Sequence, residues 1–343
     1  MPRLAQHIQA VGHRLPAEGP WADQIPEQNV LYRKTFSNDA DAHAESLAKW
    51  DQSYDQLSAG RFHGVLREIW LGDMQLFRET TNQSVLQRGR AWSGGGTFGV
   101  PLEMSHAGFF YDQALSNSGI LSFGPESIFE LRTPRAFDIA GITVNAECFN
   151  SILESTLGSL SQNEKVKPRV LPCNQHLQQL KMFLIDIFEA LDADPHRLDG
   201  PQIQKILRAT IIDHLQAALE AGTSGAKSAS SYMARKNIVE QAREHVLTNL
   251  HDPVSIGELC ARIGVSRRTL QYCFQDIIGA NPVSFLRAIR LNKVRRELRA
   301  ANFGTVQIAD IATRWGFWHL SHFSNYYRAL FGELPSETLR GSR

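Results

Sequence analysis

The chain is poor in the residues that staple a fold or hold a metal. Its four cysteines, Cys148, Cys173, Cys260 and Cys273, are widely spaced and form no C-x-x-C pair, which argues against both a zinc module and a disulfide framework. No His-x-His precedes a suitably placed Glu. His63 and His106 stand alone among strand-like segments, so no metal, no cofactor and no metal-dependent oxygenase or isomerase is expected. No run of eighteen apolar residues occurs, and no charged segment at the start leads into an apolar stretch, so we expect a cytoplasmic protein that does not engage a membrane. Gly94-Gly95-Gly96 is followed by no Gly-Lys-Ser or Gly-Lys-Thr and opens no helical pattern, which makes it a turn or bulge beside a strand rather than a phosphate loop.

Net charge is nearly absent as well, at +1, but that balance hides a division. From Tyr232 onward there are sixteen Lys and Arg against nine Asp and Glu, and before it twenty against twenty-six. A basic C-terminal module therefore follows an acidic N-terminal one. The basic module also repeats itself. Ile256, Leu259, Arg262, Gly264 and Val265 are answered at equal spacing by Ile308, Ile311, Arg314, Gly316 and Phe317. One extra residue then enters the second copy, after which Phe274, Gly279, Pro282 and Arg287 are answered by Tyr327, Gly332, Pro335 and Arg340. Two copies of about fifty residues are too few for a solenoid, which needs about three.

Each copy reads as helix, tight turn, helix. In the first, Ser255 caps a helix with Ile256, Leu259 and Ile263 on one face, Gly264 permits the turn and Ser266 caps the next helix. Leu270, Phe274 and Ile277 give that helix a buried stripe, while Arg267, Arg268, Gln271, Tyr272 and Gln275 occupy its other face. This is a helix-turn-helix, whose second helix can enter the major groove of double-stranded DNA. Cys260 and Cys273 fall on apolar faces and read as buried hydrophobes, leaving Cys148 and Cys173 as redox-sensing candidates. Pro282 starts a connecting helix from Val283 to roughly Asn302, about 27 to 30 Å long. It can set two recognition helices about one DNA turn apart. Its Arg295, Arg296 and Arg299 read either as phosphate contacts or as a solvated basic face.

At these residues the chain resembles the AraC/XylS family of bacterial transcription regulators. The second copy carries the more specific signature: Ile308, Ala309, Ile311, Ala312, Gly316-Phe317, His322-Phe323-Ser324, Tyr327-Arg328, Phe331-Gly332, Pro335 and Arg340. The resemblance covers roughly Ile238 to Arg343. It implies a sequence-specific promoter-binding regulator, with RNA polymerase as a partner. Carried over by position, the base readers are Arg268, Gln271 and Tyr272 in the first copy and Leu320, Ser321, His322 and Asn325 in the second. Ser266, Arg267, Gln275, Arg287, His319 and Arg328 complete the DNA-binding set. The pattern is broken where His319 replaces a small polar residue and where Trp318 and Leu320 are bulky and apolar. The second motif should therefore lean on phosphates or on thymine methyl groups.

The preceding half changes texture along its length. Residues up to about Arg33, with Pro16, Pro20 and Pro26, read as an irregular arm, and Asp39 to about Gln56 has helical composition. Phe62–Leu71, Met74–Glu79, Ser84–Arg90, Thr97–Leu102, Gly119–Phe123, Ile128–Leu131 and Phe137–Val144 are strand-like runs, with a hairpin turn at Leu71-Gly72-Asp73-Met74. Helices follow: one capped by Asn145 and running to about Leu160, then Gln175–Leu191 and Pro201–Glu220. The Gly-, Ser- and Ala-rich stretch Ala221–Ser231 reads as a linker. The expected fold is α+β: an N-terminal β-rich barrel or sandwich with helices, then an all-α double helix-turn-helix domain. Residues 1–225 form the first domain, strand-rich over 57–144 and helical over 145–221, 226–237 the linker and 238–343 the second domain. The family resemblance makes the first half a cupin-like barrel, similar in outline to the sensor halves of ethanolamine-type regulators. It is expected to form a homodimer or sense a small-molecule effector. Trp70, Phe77, Trp92, Phe98, Phe109, Phe110 and Phe123 are either the lining of an effector pocket or ordinary core. The rival reading, a small-molecule binding protein or enzyme with an accessory DNA-localising module, rests on those aromatics.

Overall fold

Phe137–Asn145 is buried along nearly its whole length, because both faces of that strand are covered. Phe137 and Ile139 point into the space between two sheets, where Phe110, Leu115, Phe123, Phe129 and Leu131 meet them. Ala140, Ile142 and Val144 point the other way, into a helical layer with Phe149, Leu180, Leu184, Phe188, Ile211 and Leu215. Three layers follow from this one strand: a small sheet, a large sheet and helices.

The computed structural model describes residues 32–341 except 112, 159–160, 162–166, 220–228, 249–254, 279, 303 and 305. The proline-containing arm lies outside the described residues. In chain order the first half comprises β1 (Tyr32–Ser37), α1 (Ala40–Glu45), β2 (Asp51–Gln56), β3 (Gly64–Leu71), β4 (Met74–Thr81), β5 (Val85–Arg90), β6 (Gly95–Met104), β7 (Gly108–Phe110), β8 (Gln113–Leu115), β9 (Gly119–Phe123), β10 (Phe129–Arg132), β11 (Phe137–Asn145), α2 (Ala146–Leu157), β12 (Arg169–Pro172), α3 (Leu177–Ala193) and α4 (Pro201–Leu219). The large sheet runs β1-β3-β4-β11-β6-β9-β12 and the small one β2-β5-β10-β7-β8, every pairing antiparallel. The expected hairpin joins β3 to β4 with Leu71 opposite Met74. Asn145 caps α2, its Oδ1 accepting from the Cys148 N–H at 2.9 Å.

The stretch Asp39–Gln56 departs from its expected single helix. Asp39 caps only the short α1, accepting from the Ala42 N–H at 2.9 Å, and β2 then pairs with β5. Tyr54 and Gln56 are buried there while Asp51 and Ser53 are exposed, a two-residue period that polar residues conceal. The aromatic residues divide between layers. Phe98 stacks on Phe149 beneath the helices at 4.8 Å, whereas Phe110 and Phe123 lie between the sheets. The cavity beside Phe77, Phe110, Phe123, Trp50 and Phe129 measures about 30 Å³, room for about one water molecule. These rings are packed core. Burial pushes the Cys148 thiol up and that of Cys173 up to about 12. Both are poorer thiolates for it, which removes the support for redox sensing.

The second half is helical: α5 (Ala229–Thr248), α6 (Ile256–Ile263), α7 (Arg267–Ile278), α8 (Pro282–Ala300), α9 (Ile308–Arg314), α10 (Leu320–Phe331) and α11 (Pro335–Arg340). α5 runs through most of the segment expected as the 226–237 linker, while residues 221–228 of the Gly- and Ser-rich stretch lie outside the described residues. The connecting helix α8 serves two cores. Phe285, Leu286 and Ile289 join Val239, Ala242, Leu259, Leu270, Cys273, Phe274 and Ile277. Ala288, Leu291, Val294 and Leu298 join Ile311, Phe317, Phe323, Tyr327, Leu330 and Phe331.

Candidate nucleic-acid interface

Ser255 begins the first motif with a reciprocal cap: its Oγ accepts from the Glu258 N–H at 3.2 Å, and Glu258 accepts from the Ser255 N–H at 2.8 Å. α6 ends at Gly264, whose φ of +76° is open to glycine without the clash that a Cβ would bring. Ser266 then caps α7, accepting from the Thr269 N–H at 3.0 Å. With Leu270, Cys273, Phe274 and Ile277 buried, the geometry of the helix leaves Arg267, Arg268, Gln271, Tyr272 and Gln275 on its opposite face, all exposed. Arg235 of α5 lies 5.9 Å from the Tyr272 ring centre and donates to Asp276 at 2.7 Å. The one carboxylate on α7 is thereby neutralised beside the candidate readers.

The second motif is built differently at its turn. Trp315 to His319 separate α9 from α10, five residues against the three from Gly264 to Ser266. His319 caps α10 without a side-chain hydrogen bond. His319, Leu320, Ser321, His322, Asn325 and Arg328 are all exposed. A row of rings leads from this face to the connecting helix: His319 and His322 lie 6.2 Å apart, His322 stacks with Tyr326 at 6.3 Å, and the Arg287 guanidinium sits 3.9 Å above the Tyr326 ring. Nothing in the sequence reading had singled out Tyr326. Its clue was its position four residues beyond His322, one turn along the same face.

The connecting helix separates its arginines. A helix turns about 100° per residue, so Arg296 faces about 180° from Arg287, with Arg295 and Arg299 about 80° and 120° away. That second face meets the first half of the chain. Arg295 donates to Asp39 at 2.6 Å and lies 2.8 Å from Glu333. Arg296 reaches Asp41 at 2.8 Å, Asp55 at 2.7 Å and the Tyr54 carbonyl at 2.8 Å. Arg299 donates to Asp39 at 2.7 Å. Burial alone would raise the Asp39 carboxyl, but Arg295, the Ala42 N–H and Arg299 outweigh it and hold it below its ordinary value. The expected phosphate contacts of Arg295, Arg296 and Arg299 are therefore replaced by ion pairs within the chain, and the face they form is not a solvated one either. Arg314, at the end of α9, pairs likewise with Glu297.

Thus the structure exposes two helix faces, on α7 and α10, with Arg287 stacked beside the second, and withdraws three other arginines. A stretch spanning residues 259–341 matches a family model described as a helix-turn-helix domain. The chain is 31% identical over 151 residues to a probable thc operon regulatory protein of Rhodococcus erythropolis, covering 42% of this chain and 46% of that protein. It thus spans about half the length of that relative. It is 32% identical over 116 residues to the XylDLEGF operon transcriptional activator 2 of Pseudomonas putida, covering 32% of this chain and 74% of that protein. A solved structure of a probable AraC family transcriptional regulator from Rhodopseudomonas palustris CGA009 matches at 35% identity, covering 31% of this chain and 98% of that one, with a TM-score of 0.29. On the identity to the operon activator of Pseudomonas putida, and on the duplicated motif that carries it, the chain belongs to the AraC/XylS family of transcriptional regulators.

Proposed function

We propose that this chain binds promoter DNA in a sequence-specific manner and regulates transcription from it. The observation that carries the reading is the pair of exposed faces on α7 and α10, joined by the nineteen-residue α8, a connection about 28 Å long that suits two recognition helices reading one face of the double helix. In this reading Arg268 and Gln271 bond base edges while Arg287 and Arg328 hold phosphates. RNA polymerase and a small effector are the further partners that it brings.

A second copy of the chain is a partner as well. A groove of about 310 Å³ is lined by Phe183, Ile187, Leu198 and Leu207 together with Asp186 and Arg197, and Met182 of α3 and Ile203 and Ile206 of α4 are exposed. A groove and exposed apolar side chains on the same pair of helices suit a two-fold interface, in which the same patch serves both subunits. Sedimentation should find a dimer that Ile206→Glu converts to monomer.

The deciding experiment is selection of duplexes from a random library by the full chain at about 150 mM salt, since the electrostatic component of binding depends on salt. A shared motif with two half-elements about one turn apart is the expected result. Arg268→Ala combined with Gln271→Ala should lose preference at the first half-element, each good bidentate pair being worth roughly 1 to 3 kcal/mol. Selection of no common sequence, or the same motif at equal affinity from the double variant, would sink the reading.

A further inference from the structure

Two apolar side chains project at the entry to α10. Trp318 is 57% exposed and Leu320 44% exposed. The first copy has Ser266 and Arg267 at the corresponding place, where α7 begins. Leaving an indole and an isobutyl group in water forgoes the free energy that their burial would release, and both lie within a turn of the core residues Phe317 and Phe323 without joining them fully. The first residues of the second helix are those that meet base edges in a helix-turn-helix. The major groove offers one apolar feature among its donors and acceptors, the C5 methyl group of thymine.

The surroundings favour a polyanion over a protein partner. No Asp or Glu occurs from Trp318 to Phe331. The residues flanking the two apolar groups are His319, Ser321, His322 and Asn325, with Arg328 and the Arg287–Tyr326 stack beyond. An apolar spot within such a rim matches a methyl group set among phosphates and hydrogen-bonding base edges.

We propose that Trp318 and Leu320 read thymine through its methyl group. Resting on the regulator reading above, this gives the two motifs different chemistries: hydrogen bonds from Arg268 and Gln271 in the first, apolar contact in the second. The specificity of the second half-element is then for a T-containing step rather than for guanine.

Duplexes selected by the full chain test this directly. Each thymidine of a selected site is replaced by deoxyuridine, which removes one methyl group and keeps every hydrogen bond. Replacement in the half-element under α10 should weaken binding about fourfold per contacted methyl, the factor carried by burial of one such group. Trp318→Ala and Leu320→Ala should bind thymidine and deoxyuridine sites alike. Undiminished binding to every deoxyuridine duplex overturns the proposal, and so does a penalty that persists unchanged in both variants. So does full DNA affinity in both variants accompanied by lost association with RNA polymerase, because the patch would then belong to a protein contact. Failure of the library to yield any common site would instead refute the regulator reading, whereas a common site insensitive to methyl removal refutes only the inference drawn here.

Discussion

Nine positions separate Arg287 from Arg296, and half a turn of helix gives them different partners. Among the described residues no carboxylate lies within ion-pair range of Arg287, which stacks on Tyr326, while Arg296 is shared by Asp41 and Asp55. Arg287→Ala should weaken binding to all duplexes alike and lower the slope of log affinity against log salt by about one, the loss of one phosphate contact. Arg296→Ala should leave that slope unchanged and cost about 2 to 3 kcal/mol in a denaturant titration, because it strands two partly buried carboxylates. Asp41 adds a pH signature. Burial pushes its carboxyl up to about 6 against the pull of Arg296, with Asp39 and Asp55 adding to the rise. A carboxyl raised in the folded state binds its proton there more tightly than in the unfolded chain, so stability declines as pH climbs from about 4 to 6 and is level above. Asp39, held below its ordinary value, loses its contribution only at lower pH and leaves that window to Asp41. The parent should therefore gain about 1 kcal/mol between pH 7 and pH 5, and Asp41→Asn should not. Identical profiles for the two would remove Asp41 as the cause.

At the scale of elements, legibility followed the strength of the period. The helices of the duplicated motif were visible because each buries one stripe and caps itself locally, as Ser255, Ser266 and Gly264 do. Strand β11 was visible because burial on both faces makes it a continuous apolar run. Strands β1, β7, β8 and β12 escaped notice, being three to six residues long and too short to display an alternation. β2 hid for another reason: its inward residues include Gln52 and Gln56, whose polar atoms are satisfied by backbone carbonyls such as Ala44 at 3.0 Å and Ser58 at 2.8 Å. The recognition faces could be read because they oppose an apolar stripe on their own helix. The partners of Arg295, Arg296 and Arg299 could not, since Asp39, Asp41 and Asp55 lie some 240 to 260 positions away and no local pattern announces a contact across that distance. The turn chemistry has its own test. Gly264→Ala forces a left-handed φ on a residue with a Cβ and should cost about 1 kcal/mol, although open space surrounds the site. A stability unchanged by that substitution would mean that the turn relaxes to another conformation.

Across the whole molecule, the two halves expected as separate domains dock through a dense polar contact. Asn292, buried on α8, donates to the Gln56 carbonyl at 2.9 Å and accepts from the Gln56 N–H at 2.9 Å, completing on β2 what a neighbouring strand would otherwise supply. The Gln56 side chain donates onward to the Leu330 carbonyl at the end of α10, at 2.7 Å, and the Gly60 N–H reaches the Ala329 and Leu330 carbonyls at 3.2 and 3.1 Å. Leu86 of β5 enters the core of the first motif. The first half of the chain thus touches both motifs and the helix between them, and leaves Arg268, Gln271 and Asn325 exposed. Interfaces of this kind, with buried hydrogen-bonding groups that water cannot reach, unfold together with what they join. The full chain should therefore melt in one calorimetric transition. Asn292→Ala leaves the Gln56 N–H and carbonyl without partners, at a cost of about 1 to 3 kcal/mol, and Asp39→Asn weakens the charge contacts with Arg295 and Arg299. The double variant should split the transition in two and raise hydrogen exchange at Gln56 and its β2 neighbours, while affinity for a selected duplex changes less than about twofold because no recognition side chain is touched. One unsplit transition in the double variant would locate the coupling elsewhere, in the Leu86 contact. A large loss of DNA affinity would mean instead that the docked first half sets the spacing of α7 and α10, which α8 alone then fails to hold.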